Sequence, residues 1–172
     1  NHDQTPIGNA ACTTKFYNQF FGFNRYAGRP YFGGHYGTNN NNNYQLFSAS
    51  GLDFIILHLG YDERAVSFYQ PVLDWADAVL IAHPARRAIV TSHWIVNTGN
   101  PATFSPQGRA IYDHLKNNPN LFLLLCGHVA GEGRRSDVNQ GRTVHSVLQD
   151  YQERDNGGDG WLRTFVFSPA RN

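Results

Sequence analysis

From residue 44 onward the chain alternates between short apolar runs and segments with helical spacing. Tyr44–Ser48 reads as a strand, and Ser50-Gly51 as the turn after it. Asp53–Leu59, with Phe54-Ile55-Ile56-Leu57 at its centre, is a continuous apolar run, as in a strand buried on both faces. In Ser67–Ala82 the apolar residues Val72, Leu73, Trp75, Ala76, Val79 and Leu80 recur at helical spacing, with Asp74 and Asp77 between them. Ala88–Thr91 reads as the next strand. Pro106–Asn117 reads as a second helix, with Pro106 suited to its first turn after Ser105. Leu121–Cys126 is a further apolar strand. Thr143–Gln149 and Trp161–Phe167 alternate, which predicts two antiparallel strands around the Asn156-Gly157-Gly158 loop.

This order predicts an α/β fold in which mixed β-sheet layers are flanked by helices. No internal repeat or domain boundary interrupts it, so residues 1–172 read as a single domain. Residues 1–43 differ. They are rich in Gly, Asn and aromatics, hold no sustained period, and end in the polar tract Asn39–Asn43, which reads as a surface loop. An irregular stretch of that length in a compact domain is usually functional or supported by another element.

Composition sharpens this in three ways. With 41% hydrophobic and 14% aromatic residues, the chain can bury a substantial core. Fourteen basic against thirteen acidic side chains leave a net charge of +1, which gives no electrostatic reason to expect nucleic acid or an anionic membrane as partner. No apolar run approaches the roughly 20 residues that span a bilayer. The chain has no Met and no signal peptide, so it reads as processed or as an excerpt. Of the two cysteines, Cys126 ends an apolar strand and reads as a buried thiol in preference to a disulfide with Cys12.

Candidate chemistry lies in the histidines. Asn1-His2-Asp3 sets an amide oxygen able to ligate a metal beside an imidazole able to move a proton and a carboxylate able to orient it. His93 and His128 each follow the C-terminal end of an apolar strand. In open α/β sheets that edge gathers ligand-binding loops. Two imidazoles on neighbouring strand ends can share one metal ion, and Gly127 suits a sharp exit from the strand before His128. His58 lies within a strand and reads as a hydrogen-bonded core residue. His35 reads as a solvated loop residue, with a substrate-side residue as the alternative, and His83, His114 and His145 as structural or exposed. Gly131–Arg135 reads as a solvated turn, although its arginines are also able to hold a phosphate.

These motifs, in this order, resemble the later motifs of the calcineurin-like metallophosphoesterases, a family that includes purple acid phosphatases. Asn1-His2-Asp3 resembles the third of five motifs, His93 the lone histidine of the fourth, and Gly127-His128 the start of the fifth. The resemblance implies the C-terminal part of a four-layered sandwich and metal-dependent hydrolysis of phosphate esters. It makes Asn1, His93 and His128 metal ligands, His2 the residue facing the scissile phosphate, and Asp3 the group holding the His2 ring. It implies a transition metal (Mn, Zn or Fe), dinuclear in the complete enzyme, and a missing N-terminal half of the domain as partner. Asp150-Tyr151-Gln152 near Gly160–Arg163 resembles secreted bacterial members, implying a secreted or periplasmic location. The first two motifs are absent here, and Ala130 stands where the family has a second histidine, so the ligands of the first metal are missing. That loss leaves an alternative: a non-catalytic, self-associating module of the same fold. A mononuclear site of Asn1, His93 and His128 is a further reading.

Overall fold

The computed structural model describes residues 3–5, 14–64 and 66–168. Its centre is one mixed sheet of nine strands flanked by helices. The elements in chain order are α1 (Lys15–Phe21), β1 (Phe32–His35), β2 (Asn43–Ala49), β3 (Leu52–Leu59), α2 (Val66–Ala82), β4 (Arg87–Ser92), β5 (Val96–Gly99), β6 (Ala102–Phe104), α3 (Pro106–Leu115), β7 (Leu121–Cys126), β8 (Gly131–Asn139) and β9 (Arg142–Asp150). The spatial order is β1-β2-β3-β4-β7-β9-β8-β5-β6. Strands β3, β4, β7 and β9 run parallel, whereas β2 and β8 pair antiparallel with β3 and β9.

The helices form for the reasons the pattern gives. Along α2 the periodic positions Leu73, Ala76, Val79 and Leu80 are the buried ones. α3 starts at a built cap: the Ser105 Oγ accepts from the Gly108 N–H at 2.9 Å, and Pro106 occupies the first turn. Both helices bury their apolar stripes in one core with Ile55, Leu57, Val90, Leu124, Val144 and Leu148 of the sheet. α3 approaches β5 so closely that a Cβ on Gly108 would lie 1.9 Å from the Ile95 carbonyl oxygen. Only glycine admits that approach.

The opposite face of the sheet carries a smaller cluster of Phe54, Ile89 and Leu123, rimmed by half-buried Leu52, Ile56, Phe122, Leu125 and Val147. A groove of about 1190 Å³ crosses this face. Leu123 and Val147 line it, with Arg86, Arg134 and Arg142 at its rim.

Four expectations need correction. Trp161–Phe167 is not a strand, because no neighbour supplies a hydrogen-bonded ladder. The segment instead runs exposed, with the Phe167 ring 5.8 Å from the rings of both Phe54 and Phe122. The partner of the predicted strand Thr143–Gln149 (β9) is β8, and the hairpin turns at Gln140-Gly141, both with positive φ. Gly131–Arg135 is therefore strand and not a solvated turn. The stretch before residue 44 contains α1 and β1, so within it Lys15–Phe21 and Phe32–His35 are regular. The short strands β5 and β6 escaped the pattern altogether. Ser50-Gly51 is a turn as expected, both residues taking positive φ.

Cys126 is a free, largely buried thiol. Its Sγ accepts from the Val96 N–H at 3.3 Å, and burial raises its pKa. Cys12 lies outside the described residues. Among the described residues no helix is long and apolar enough to cross a membrane.

Candidate functional site

The parallel strands β3, β4 and β7 are neighbours, so their C-terminal ends form one edge. One residue past β4 comes His93, and two past β7 comes His128. Their ring centroids lie 4.6 Å apart. The strand ends are tied by a backbone hydrogen bond from the Gly127 N–H to the His93 carbonyl at 3.1 Å. The Trp94 ring lies 5.0 Å from the His128 ring on its far side. Sequence reasoning paired these two histidines, and the fold brings them together.

His128 takes φ +76. A non-glycine residue in the left-handed region gives up roughly 1 kcal/mol relative to its ordinary conformation. Gly127, to which the sequence reading gave the sharp exit, is not the residue that turns. A Cβ there would make only ordinary contacts, 3.6 Å from the Gln149 carbonyl and 3.8 Å from the Asp150 carboxylate. The reversal is made by the histidine itself.

Sequence reasoning missed Tyr61. It stands two residues past β3, the position that identified His128 past β7. Its ring lies 4.9 Å from His93 and 5.8 Å from His128, and the residue is buried. Burial, and then its hydrogen bond to Glu63, hold its phenol protonated well above the usual range. The loop carrying Tyr61 is fixed from α3, where Gln107 donates to the Gly60 carbonyl at 2.8 Å and accepts from the Asp62 N–H at 3.3 Å. The buried Asp62 carboxylate is held by Arg64 at 2.5 Å.

Asn1 and His2 lie outside the described residues. Asp3 is exposed, and its charge reaches Tyr17. The next residue, Gln4, is buried, and its Nε2 donates to the Tyr61 carbonyl at 2.5 Å. Gln4 thus reaches the loop that carries Tyr61 to the edge of the two histidines.

The remaining histidines do other work. His58 is hydrogen-bonded through both nitrogens, to Thr91 Oγ1 at 2.7 Å and Gln45 Oε1 at 2.5 Å, as a core residue should be. Burial lowers its pKa. His35 is not in a solvated loop: it is half-buried on β1 and stacks on Phe23 at 3.9 Å. His83 Nδ1 bonds the Val79 carbonyl, His114 pairs with Asp74 at 3.2 Å, and exposed His145 bonds Ser136.

Protein metal sites take three or four donors. Among the described residues no group of three His, Cys, Asp or Glu side chains comes close enough to hold an ion. Of the three candidate ligands, His93 and His128 lie together, and Asn1 lies outside the described residues.

Comparison with known proteins gives three similarities. No family model matches the chain. The uncharacterized protein YvnB of Bacillus subtilis is 32% identical over 181 residues, which takes in 100% of this chain and 13% of that protein. The chain therefore spans only a small part of that relative. Among solved structures, a dimetal phosphatase from Danio rerio superposes with a TM-score of 0.44 at 16% identity, over 62% of this chain and 48% of that one. GAP50, the anchor in the inner membrane complex of Plasmodium, superposes with a TM-score of 0.43 at 11% identity, over 75% and 46%.

Proposed function

We propose that this edge belongs to a metal-dependent hydrolase of phosphate esters, either a phosphatase or a phosphodiesterase. The observation that carries the reading is the meeting of His93 and His128 at the ends of neighbouring parallel strands, with ring centroids 4.6 Å apart. The hydrogen bond from Gln4 to the Tyr61 carbonyl supports it, because Gln4 directly follows Asp3 in the chain. The strained backbone of His128 supports it too, since strain of this kind collects at functional sites.

In this reading Asn1, His93 and His128 hold one metal ion, of Mn, Zn or Fe type. The metal supplies charge neutralisation at the phosphate. His2 would face the scissile ester, stabilising charge or giving a proton to the leaving oxygen, and Asp3 would keep its ring oriented. The ligands of a second metal, and the remaining layers of a four-layered sandwich, come from polypeptide outside these 172 residues.

Elemental analysis after incubation with Mn, Zn or Fe tests the reading, together with hydrolysis of an aryl phosphate. Retention of metal by the chain, abolished by His93→Ala and by His128→Ala, is the expected result. A chain that retains no metal and hydrolyses no aryl phosphate, alone or joined to the rest of its polypeptide, sinks it.

Ala130 favours a second reading. It cannot coordinate a metal where the resembled family has a histidine, and a groove of about 1190 Å³ crosses the face around Phe54 and Leu123. In that case the chain is a non-catalytic module that self-associates. A monodisperse monomer in light scattering argues against it.

A further inference from the structure

A second cavity, of about 440 Å³, lies between the aromatic segment and the start of the sheet. Tyr17, Tyr26 and Tyr31 give it flat rings, and Asn40, Asn43 and Gln45 give it amides. His58 closes it on the side of β3. Among the described residues no Lys, Arg, Asp or Glu lines it.

Its polar groups are fixed in advance. Thr91 Oγ1 holds one nitrogen of His58 at 2.7 Å, and the other meets Gln45 Oε1 at 2.5 Å. Gln45 Nε2 donates to Asn43 Oδ1 at 2.6 Å, and Asn43 Nδ2 donates to the Asn40 carbonyl at 2.8 Å. Asn40 is only 3% exposed. Asn40 donates its backbone N–H to Asn18 Oδ1 and its Nδ2 to the Phe21 carbonyl, both at 2.8 Å. Its Oδ1 has no hydrogen-bond partner among the described residues. A buried acceptor left in that state costs about 1–3 kcal/mol.

We propose that this cavity binds a neutral polyhydroxylated ligand, a saccharide ring. Aromatic faces suit the apolar C–H face of a sugar, and oriented amides suit its hydroxyls, each of which both donates and accepts. An anionic ligand finds no cation among the lining side chains. His58 lies in β3, three residues before Tyr61 of the His93–His128 edge. A sugar in the cavity therefore lies on the strand that leads to that edge. Its role as the alcohol portion of a phosphate ester rests on the function proposed above, whereas its binding does not.

The test is binding of glucose, N-acetylglucosamine and their β-1,4-linked disaccharides to the 172-residue chain without added metal. Saturation-transfer NMR reads it, with adenosine and inorganic phosphate as comparators. At least one saccharide binds, and Tyr31→Ala weakens it about ten-fold with the circular dichroism spectrum unchanged, Tyr31 being 44% exposed. Tyr26→Phe, which removes one hydroxyl, weakens it less. Absence of saccharide binding overturns the proposal, as does binding indifferent to both substitutions, or adenosine or phosphate binding in the sugar's place. Saccharide binding without metal uptake or hydrolysis leaves the cavity assigned and removes the phosphoesterase reading. Metal uptake without saccharide binding does the reverse.

Discussion

The two faces of the central sheet are made by the same strands and are covered in different ways. On one face Ile55, Leu57, Val90 and Leu124 are fully buried under α2 and α3. Both helices come from the connections between the strands they cover, so local sequence seals that face. On the other face Phe54, Ile89 and Leu123 are buried, but their neighbours Leu52, Ile56, Phe122 and Leu125 are only half so. Their cover includes Phe167, on a segment with no ladder of its own. Alternating burial along a strand thus demands two covers, and among the described residues only one of them is built from regular structure.

The comparison can be broken most severely at Gly108. Gly108→Ala drives a methyl into the Ile95 backbone, and a loss of about 4 kcal/mol in urea unfolding is expected. A loss below about 1 kcal/mol would mean that α3 does not sit so close to β5. Next come two matched truncations. Leu73→Ala, on the buried side of α2 at 1% exposure, costs about 3 kcal/mol. Leu123→Ala, on the open face at 4% exposure, costs about 2 kcal/mol, because its surroundings can relax into the groove. Equal losses would show the two faces to be packed alike. Phe167→Ala, at 43% exposure, is expected to cost less than about 1 kcal/mol, and a larger loss would make the C-terminal segment a true third layer.

The smallest effect is a dependence on pH. Burial lowers the pKa of His58 on the open face from 6.5. The unfolded chain then binds the proton more readily than the folded one, so stability is full above pH 6.5 and falls as pH drops below it. His58→Gln flattens that slope in denaturant titrations. An unchanged slope would place the titrating group elsewhere.

Strands β3, β4 and β7 were legible because burial on both faces leaves an uninterrupted apolar run, and α3 because Ser105-Pro106 carries its own start signal. β8 was hidden: Glu132, Arg134 and Ser136 on one side and Arg135 and Asp137 on the other give no apolar alternation, and its pairing to β9 is visible only in the Gln140-Gly141 turn. Trp161–Phe167 erred in the opposite direction. Alternation reports which way side chains point and says nothing about whether a partner strand exists. In the site, His93 and His128 could be found by their distance past an apolar strand. Tyr61 obeyed the same rule, but a phenol is a less obvious donor than an imidazole. The saccharide cavity had no signature, because Tyr17, Asn40 and His58 meet only after β2 pairs with β3.

The left-handed backbone at His128 makes position 128 informative across any set of related sequences. Folding alone would favour glycine or asparagine there, since both accept that conformation at little penalty. Wherever histidine persists at this position, selection on the imidazole has outweighed about 1 kcal/mol of folding free energy. Drift toward glycine or asparagine would mark the lineages in which the ring is no longer used.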